Sequence, residues 1–501
     1  MKISLIIPPS PFLLDERVFP SLGLLKIASV LRQKYEVDVI DLSGIKNYLE
    51  TFEHYLKSSD STVFGITATT PQLPHAIKVK DLIKKYKTNS KVILGGPHVT
   101  LIYSAFKSNP NTRSVKNKEA IEHHFDCLVS GDGEKAIFPA IETDSKFIDG
   151  DDPKQPYFLS NEDYEKLPLP SRDLIDLNSY HYSIDKKSAT SLIAQLGCPF
   201  NCGFCGGRLS NSLRRIRTRS GNNILSEIEY LYKTYGLEGF MFYDDELNVN
   251  KQFESLLTDL IKLQNKLGVE FRLRGFVKSE LFTDTQAKLM YEAGFRWLLC
   301  GFEAGNDRIL LNINKKATYD DNVRVIEKCK KHGLKIKSLM SVGHPGESEK
   351  TIEDISKFLI SNQTDDFDCT VITPYPGTPY YDKSIEVGND IYKYTVDKTG
   401  DVLYSKSIDY SVTSNFYKGI PGQNYESYVY TDYLKSHEIV QLRDKLENEV
   451  RTALNIPFNQ SAAAILYEHS MGQSLPDFVF KKYITDQSNN IWYQSICHMF
   501  N

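Results

Sequence analysis

Residues 197–207 read Gly-Cys-Pro-Phe-Asn-Cys-Gly-Phe-Cys-Gly-Gly, with Cys198, Cys202 and Cys205 close together. The glycines, the proline and the asparagine mark a loop and not a packed core segment. Three readings of these thiols compete. Structural zinc takes four ligands, usually as two Cys-x-x-Cys pairs. The remaining cysteines, Cys127, Cys300, Cys329, Cys369 and Cys497, show no such pairing. Buried, inert cysteine suits those five but not the triplet. An iron–sulfur cluster held by three protein thiolates fits best. Such clusters usually take four cysteines, and holding three leaves one iron open, as in a catalytic metal site.

The rest of the chain bounds the setting. With 501 residues it exceeds what one hydrophobic core serves, so two or three domains are expected. Apolar residues make up 41% and charged residues 25%, a soluble globular balance. A net charge of -4 offers no global basic field for nucleic acid. No apolar run is long enough to cross a bilayer, and the start, Met1 to Phe12, reads as a buried strand and not a signal peptide. Eight sparse cysteines do not make a disulfide framework, which points to a reducing, cytoplasmic setting.

Around the cysteine loop the pattern alternates. Thr190–Leu196 reads as a strand, 223–235 as a helix, and 239–243 as a buried strand. Residues 253–267 read helical, 269–273 extended, 283–293 helical and 297–300 extended. Helices are expected at 307–312 and 320–332, a strand at 335–342, a helix at 349–361 and a last strand at 369–373. Repeated β–α units predict a parallel sheet with helices outside and chemistry at the carboxyl ends of its strands. Polar residues stand at those ends: Tyr243-Asp244-Asp245-Glu246, Arg272 and Arg274, Gly301-Phe302-Glu303, Gly343 to Glu347, and Pro374 to Thr378. Each could equally be a helix cap. The run Arg208, Arg214, Arg215, Arg217, Arg219 reads first as a solvated face and second as a site for an anionic ligand.

The first 150 residues carry their own β–α pattern, with strands at 2–8, 37–42, 62–67, 91–96 and 125–130 and helices at 22–34 and 74–86. A doubly wound domain binds ligands outside its carboxyl strand ends, here at Thr67–Thr70, Gly95–Thr100 and Gly131–Glu134. Glycines there let backbone approach a large flat ligand. No Gly-x-Gly-x-x-Gly opens the first helix, which argues against a dinucleotide.

Cys-x-x-x-Cys-x-x-Cys with Phe204 before the last cysteine resembles the signature of the radical S-adenosylmethionine (SAM) enzymes. The segments Pro20 to Leu25, Gly95 to Thr100, Val129 to Glu134 and Leu167 to Asp173 resemble a large subfamily in which a cobalamin-binding domain precedes the barrel. The likeness covers residues 1 to 385. It implies a cobalamin-binding Rossmann-like domain at 1–143, a linker at 144–187 and a partial (β/α)6 TIM-like barrel at 188–385; residues 386–501, which it does not reach, read as a mainly helical cap or substrate region. It implies a [4Fe–4S] cluster on Cys198, Cys202 and Cys205, and SAM held by Phe204, Tyr243, Asp244, Asp245, Glu246, Arg274, Glu303 and Gly343. Cobalamin would meet Leu22, Gly23, Thr67, Thr69, Gly95, Gly96, Pro97, His98, Val99, Gly131 and Glu134. Many such domains carry Asp-x-His-x-x-Gly, whose histidine binds cobalt from below. The loop at 8–17 lacks it, so cobalt is expected without a histidine ligand, and His98 packs against backbone as readily as it ligates.

The resemblance implies a cobalamin-dependent radical SAM methyltransferase acting on an unactivated carbon of a small molecule, with an external flavodoxin- or ferredoxin-type electron donor and no nucleic acid or membrane partner. Two alternatives stand beside it: a non-methylating radical reaction such as oxidative cyclisation or ring contraction, and a non-catalytic cobalamin and iron–sulfur sensor. Methylthiolation calls for a second cluster, and the sequence has no second cysteine triplet. Neither the substrate, the catalytic side chains nor the oligomeric state is legible. The tyrosine-rich stretch Tyr392 to Tyr433 and a helix expected at 433–454 are read either as a cap over the barrel mouth or as a stabilising appendage.

Overall fold

The computed structural model describes residues 1–10, 12–13, 15–416 and 425–456. Tyr417, Cys497 and the end of the expected cap region, 457–501, lie outside the described residues.

Short runs of branched apolar residues, buried on both faces, form the first sheet. Its strands are β1 (Lys2–Ile7), β2 (Glu36–Asp41), β3 (Val63–Thr67), β4 (Lys91–Gly95), β5 (Cys127–Gly131) and β6 (Phe147–Gly150). They lie in the order β2-β1-β3-β4-β5-β6, parallel throughout. The strand order reverses between β1 and β3, which opens a crevice at the carboxyl ends. Strand β6 falls inside 144–187, the segment expected to be a surface linker. That segment also contributes Tyr164 and Arg172, both almost fully buried.

A hairpin of β7 (Ser183–Ile184) and β8 (Lys187–Leu192) opens the second sheet. Strands β11 (Gly239–Phe242), β12 (Arg272–Phe276), β13 (Phe295–Glu303), β14 (Lys335–Val342) and β15 (Asp366–Val371) then add in sequence order, each parallel to the last. This is the open (β/α)6 arrangement expected. Helices 221–235, 284–292, 307–313, 319–331 and 349–362 start at Ser220, Thr283, Asn306, Thr318 and Ser348, whose side chains accept the third helical N–H. Two strand limits differ from the sequence expectation for a clear local reason. Gly268 ends its helix in the left-handed region and Val269 N–H bonds back to Gln264 O, so β12 begins only at Arg272. The first barrel strand stops at Leu192 because Asp244 draws the next amides away, as described below.

An open sheet has two edges to protect. Strand β7 covers that of β8. The edge of β15 is sealed by the helix Ser436–Ala453: Glu447 accepts the Cys369 N–H at 3.1 Å, and Arg451 donates to Phe367 O at 2.7 Å. Arg451 also pairs with Glu447 at 2.7 Å and Asp366 at 3.3 Å. The expected C-terminal helix is therefore present. Before it the chain forms an antiparallel sheet that the sequence did not signal: β16 (Ile385–Gly388), β17 (Ile391–Thr395), β18 (Val402–Lys406) and β19 (Val429–Thr431). Beyond β18, Ile408, Tyr410 and Phe416 enter the core around Val99, Ile102 and Tyr103.

Candidate functional site

The cysteine loop rises from a two-strand clasp, β9 (Gln195–Leu196) against β10 (Arg217–Thr218), paired Gln195 to Thr218 and Leu196 to Arg217. Asp244, at the end of β11, sets the entry. Its carboxylate accepts Ala194 N–H at 3.1 Å and Gln195 N–H at 2.5 Å. Arg208 then gathers the loop's carbonyls, donating to Phe200 O at 2.8 Å, Gly206 O at 3.0 Å and Cys198 O at 3.1 Å. The base of the loop is tied to the barrel by Gly203 N–H to Ile313 O at 2.7 Å and Tyr380 N–H to Gly203 O at 3.0 Å. Cys202 is buried, and Cys198 and Cys205 are half-buried. Burial pushes the Cys205 thiol up to about 12; Arg208 opposes this, while Cys202, Asp245 and Cys198 add to it. The three thiols thus share one electrostatic space. Among the described residues no three His, Cys, Asp or Glu side chains converge on a single ion. A multi-iron cluster does not ask for that, because each thiolate meets its own iron. Cys127, Cys300, Cys329 and Cys369 are scattered and buried, as expected of inert thiols.

Two buried lysines stand beside this loop that no motif pointed to. Lys315 pairs with Glu303 at 3.1 Å. Burial opposes its charge, but Glu303, Cys202 and Glu246 hold its pKa well above the usual value. Lys278 donates to Lys315 O at 3.0 Å, and its ammonium sits 4.6 Å from the centre of the Phe200 ring. Both come from loops after strand or helix ends, where a lone lysine carries no sequence signal.

The strand-end residues fall into groups. Tyr243 is 47% exposed, with its ring 5.3 Å from Phe19 and 6.2 Å from Phe276. Asp245 is open at its surface yet so enclosed that burial raises its pKa against the pull of Arg208. Burial pushes Glu246 up to about 7, with Lys315 and Lys278 pulling it back. Glu303 sits at φ +66°, a backbone strain fixed by its bonds to Lys315 and to Ser341 Oγ at 2.7 Å. Phe204 packs edge-on to His344 at 5.4 Å. His344 bonds Ser341 at 2.8 Å and is pushed down to about 3 by burial. Gly343 N–H donates to Glu347. Two residues are committed elsewhere: Asp244 to backbone, and Arg274 to the Tyr182 hydroxyl at 2.6 Å.

The arginine run is not a solvated face. Arg208, Arg217 and Arg219 are at most 4% exposed. Arg217 bonds Asp132 of the first domain and Leu159 O, and Arg219 pairs with Glu227 at 2.5 Å. Arg217 ties the barrel to the first domain, Arg208 and Arg219 hold the barrel's own loop and helix, and Arg215 is the exposed member.

A cavity of about 470 Å³ opens at the carboxyl ends of the first sheet. All the residues expected around cobalamin line it except His98 and Val99. Gly96 has φ +94°, and a Cβ there would come within 2.6 Å of Thr67 Oγ1, so only glycine keeps this wall flat. His98 faces the opposite side of the sheet, bonded to Thr70 at 3.2 Å with its ring 6.3 Å from Tyr410. No histidine is among the cavity's lining residues. Apolar walls from Leu5, Ile7, Ile93 and Val129, with polar Thr67, Thr69, Gln72 and Glu134 among them, fit a large ligand with an apolar body and many amides. The far wall belongs to the barrel: Ile193, Leu196 and Leu213. Leu213 O accepts Cys198 N–H at 3.1 Å, and a Cβ on Gly206 would lie 3.3 Å from Leu101 of the helix Pro97–Ser108. The two strand-end faces are turned toward each other.

An open parallel barrel with a three-cysteine loop at its strand ends, facing a cavity on a doubly wound sheet, defines a radical SAM protein with a corrinoid-binding partner domain. Residues 192–359 match the Radical SAM superfamily and residues 16–111 the B12 binding domain family. The chain is thus a cobalamin-dependent radical SAM enzyme, whose cofactors are an iron–sulfur cluster, SAM and cobalamin. An uncharacterized methyltransferase of Pyrococcus horikoshii is 28% identical over 77% of this chain and 83% of its own length. An anaerobic magnesium-protoporphyrin IX monomethyl ester cyclase of Rubrivivax gelatinosus is 24% identical over 76% of this chain and 68% of its own. The radical SAM methyltransferase TsrM from Kitasatospora setae, solved with cobalamin and a [4Fe–4S] cluster bound, shares the fold at a TM-score of 0.61 and 16% identity, over 79% of this chain and 81% of that one.

Proposed function

We propose that this enzyme methylates an unactivated carbon of a small molecule bound between its two strand-end faces. The observation that carries the reading is the short span between the cysteine loop and the cavity, bridged by Leu213 and by the Leu101–Gly206 contact. When bound, SAM on the cluster supplies a hydrogen-abstracting radical and cobalamin supplies a methyl group. The chain's residues position and insulate. Cys198, Cys202 and Cys205 hold the cluster, and Arg208 with Asp244 fixes their loop. Lys315 and Lys278 balance negative charge beside it. Asp245 and Glu246 offer acceptors to the SAM amine, and Glu303 and Gly343 border the rest of that ligand. The cavity wall from Thr67 to Gly131 would take the corrin, and none of its lining residues is a histidine. Tyr243, Phe19 and Phe276 form an apolar wall at the mouth that keeps water from a carbon radical.

The domain limits proposed are 1–150 for the cobalamin domain, extended from 143 by β6, and 187–385 for the barrel. The electron comes from an external flavodoxin- or ferredoxin-type donor in a reducing cytoplasm. No described helix is long and apolar enough to cross a membrane. The cyclase among the relatives supports a second reading, oxidative ring formation without methyl transfer. Methyl-deuterated SAM, a reductant and candidate extracts separate the two: a product heavier by a labelled methyl supports methylation. A labelled-methyl-free product with turnover of SAM to 5′-deoxyadenosine supports the alternative.

A further inference from the structure

The cavity wall holds one charge that its own protein leaves unanswered. Lys26, on the helix Leu22–Leu31, lines the cavity and is 8% exposed. An ammonium taken out of water normally comes with a carboxylate, because desolvation otherwise costs several kcal/mol. Among the described residues none reaches Lys26 within ion-pair distance; its Nζ lies 4.4 Å from the centre of the Tyr164 ring. Of the nearby carboxylates three are engaged, and Glu134, which attracts Lys26, stands beyond ion-pair distance. Glu227 takes both Arg172 at 2.6 Å and Arg219 at 2.5 Å, Asp132 takes Arg217, and Asp244 accepts two backbone amides. Glu134 lines the same cavity, and burial and Asp132 push it up to about 7. Two guanidiniums on one carboxylate, next to an unpaired ammonium, leave this wall with surplus positive charge.

We propose that Lys26 receives the phosphodiester of cobalamin, an inference that rests on the cobalamin reading of the cavity. The corrin's side chains are neutral amides, and the ribose and the base of its nucleotide arm are neutral too. The phosphodiester is the arm's anion. Lys26 lines the cavity beside Tyr164, with Glu134 of the helix Gly133–Glu142 and Arg219 and Glu227 of the barrel side as its charged neighbours. The arm enters there, and the ammonium makes a charge-assisted bond to a phosphate oxygen.

The test compares apo wild type, Lys26→Met and Lys26→Arg with three probes: cobalamin, cobinamide phosphate, which keeps the phosphate without the base, and cobinamide, which lacks both. Dissociation constants are read from the corrin absorbance, so no turnover is needed. Lys26→Met is expected to weaken cobalamin and cobinamide phosphate alike, by tenfold or more, and to leave cobinamide unchanged, while Lys26→Arg keeps most of the affinity. Equal loss for cobinamide assigns Lys26 to the corrin or to the fold and overturns the proposal. Loss for cobalamin alone assigns it to the base and does the same, as does no loss at all. A wild type that binds none of the three overturns the cobalamin reading itself. Unchanged helix content of Lys26→Met guards against misfolding, and the ranking of wild type for the three probes stands without any variant.

Discussion

Adding one methyl group to Gly203 should empty the cluster site while sparing the fold. A Cβ on Gly203 would lie 2.7 Å from Tyr380 Cζ and 2.9 Å from Cδ1. Cε1 lies nearer still, and ordinary carbon contacts sit at about 3.5–4.0 Å, so the ring or the loop must give by more than about 1 Å. The ring cannot give easily. Tyr380 is fully buried, its N–H holds Gly203 O at 3.0 Å, its hydroxyl meets His344 Nδ1 at 3.4 Å, and Tyr394 packs on it at 4.9 Å. Overpacking of this kind costs about 1–3 kcal/mol, and the loop, held by fewer contacts than the barrel core, takes most of it. Gly203→Ala should therefore lower cluster retention by about five- to 150-fold at unchanged melting temperature. Iron and sulfide per chain after anaerobic reconstitution, followed through a chelator challenge, measure this. Tyr380→Leu in the Gly203→Ala background should restore part of the loss. Full iron with wild-type resistance to the chelator would refute the claim that Tyr380 sets the height of the loop.

Replacing Cys198, Cys202 or Cys205 with Ala should remove the brown chromophore and SAM cleavage together, and full iron in the triple variant would sink the ligand assignment. Cobalamin bound to the wild type should show no imidazole coupling in paramagnetic resonance, and His98→Ala should leave that spectrum unchanged. Arg451→Met should destabilise the chain by about 3–5 kcal/mol, measured by urea unfolding, since it takes the ion-pair partner from buried Glu447 at the edge of β15, while Asp366 keeps Lys337 at 3.2 Å. Burial lowers the Lys26 pKa from 10.5 to about 8. Between those pH values the unfolded chain holds a proton that the folded chain lacks, so apo stability rises with pH across the window, and below about 8 the full penalty is present. Lys26→Met should remove that slope and stabilise the apo protein at pH 7 by up to about 3 kcal/mol.

Much of this protein was legible before any coordinates. The cysteine spacing and the β–α alternation carried the barrel, because a parallel sheet must bury its strands on both faces and so writes them as apolar runs. The glycine-rich strand ends carried the cavity, because a flat ligand needs bare backbone. The sheet β16–β19 is hard to read from sequence because its strands, of three to five residues, are too short for an alternation pattern to stand out from the polar, tyrosine-rich stretch around them. Strand β6 escaped because its four residues, Phe-Ile-Asp-Gly, are too few to stand out in a polar stretch.

What the sequence determined by itself was therefore local: which residues bear chemistry, which segments are strands, and that three thiols share a loop. What tertiary structure alone decided is who answers whom. The arginines that read as a solvated run turn inward, because the packed domains bring Asp132 and Glu227 and several backbone carbonyls to them. Asp244 and Arg274 already hold partners within the fold, because amides and a hydroxyl from other segments reach them. Lys278 and Lys315 join the cluster's surroundings from distant loops. Lys26 stands out only once no carboxylate is found within ion-pair distance of it. A sequence records each charge but not its partner, since partners are set by long-range packing, and in a low-dielectric interior it is the partner that decides whether a charge holds the fold together or waits for a ligand.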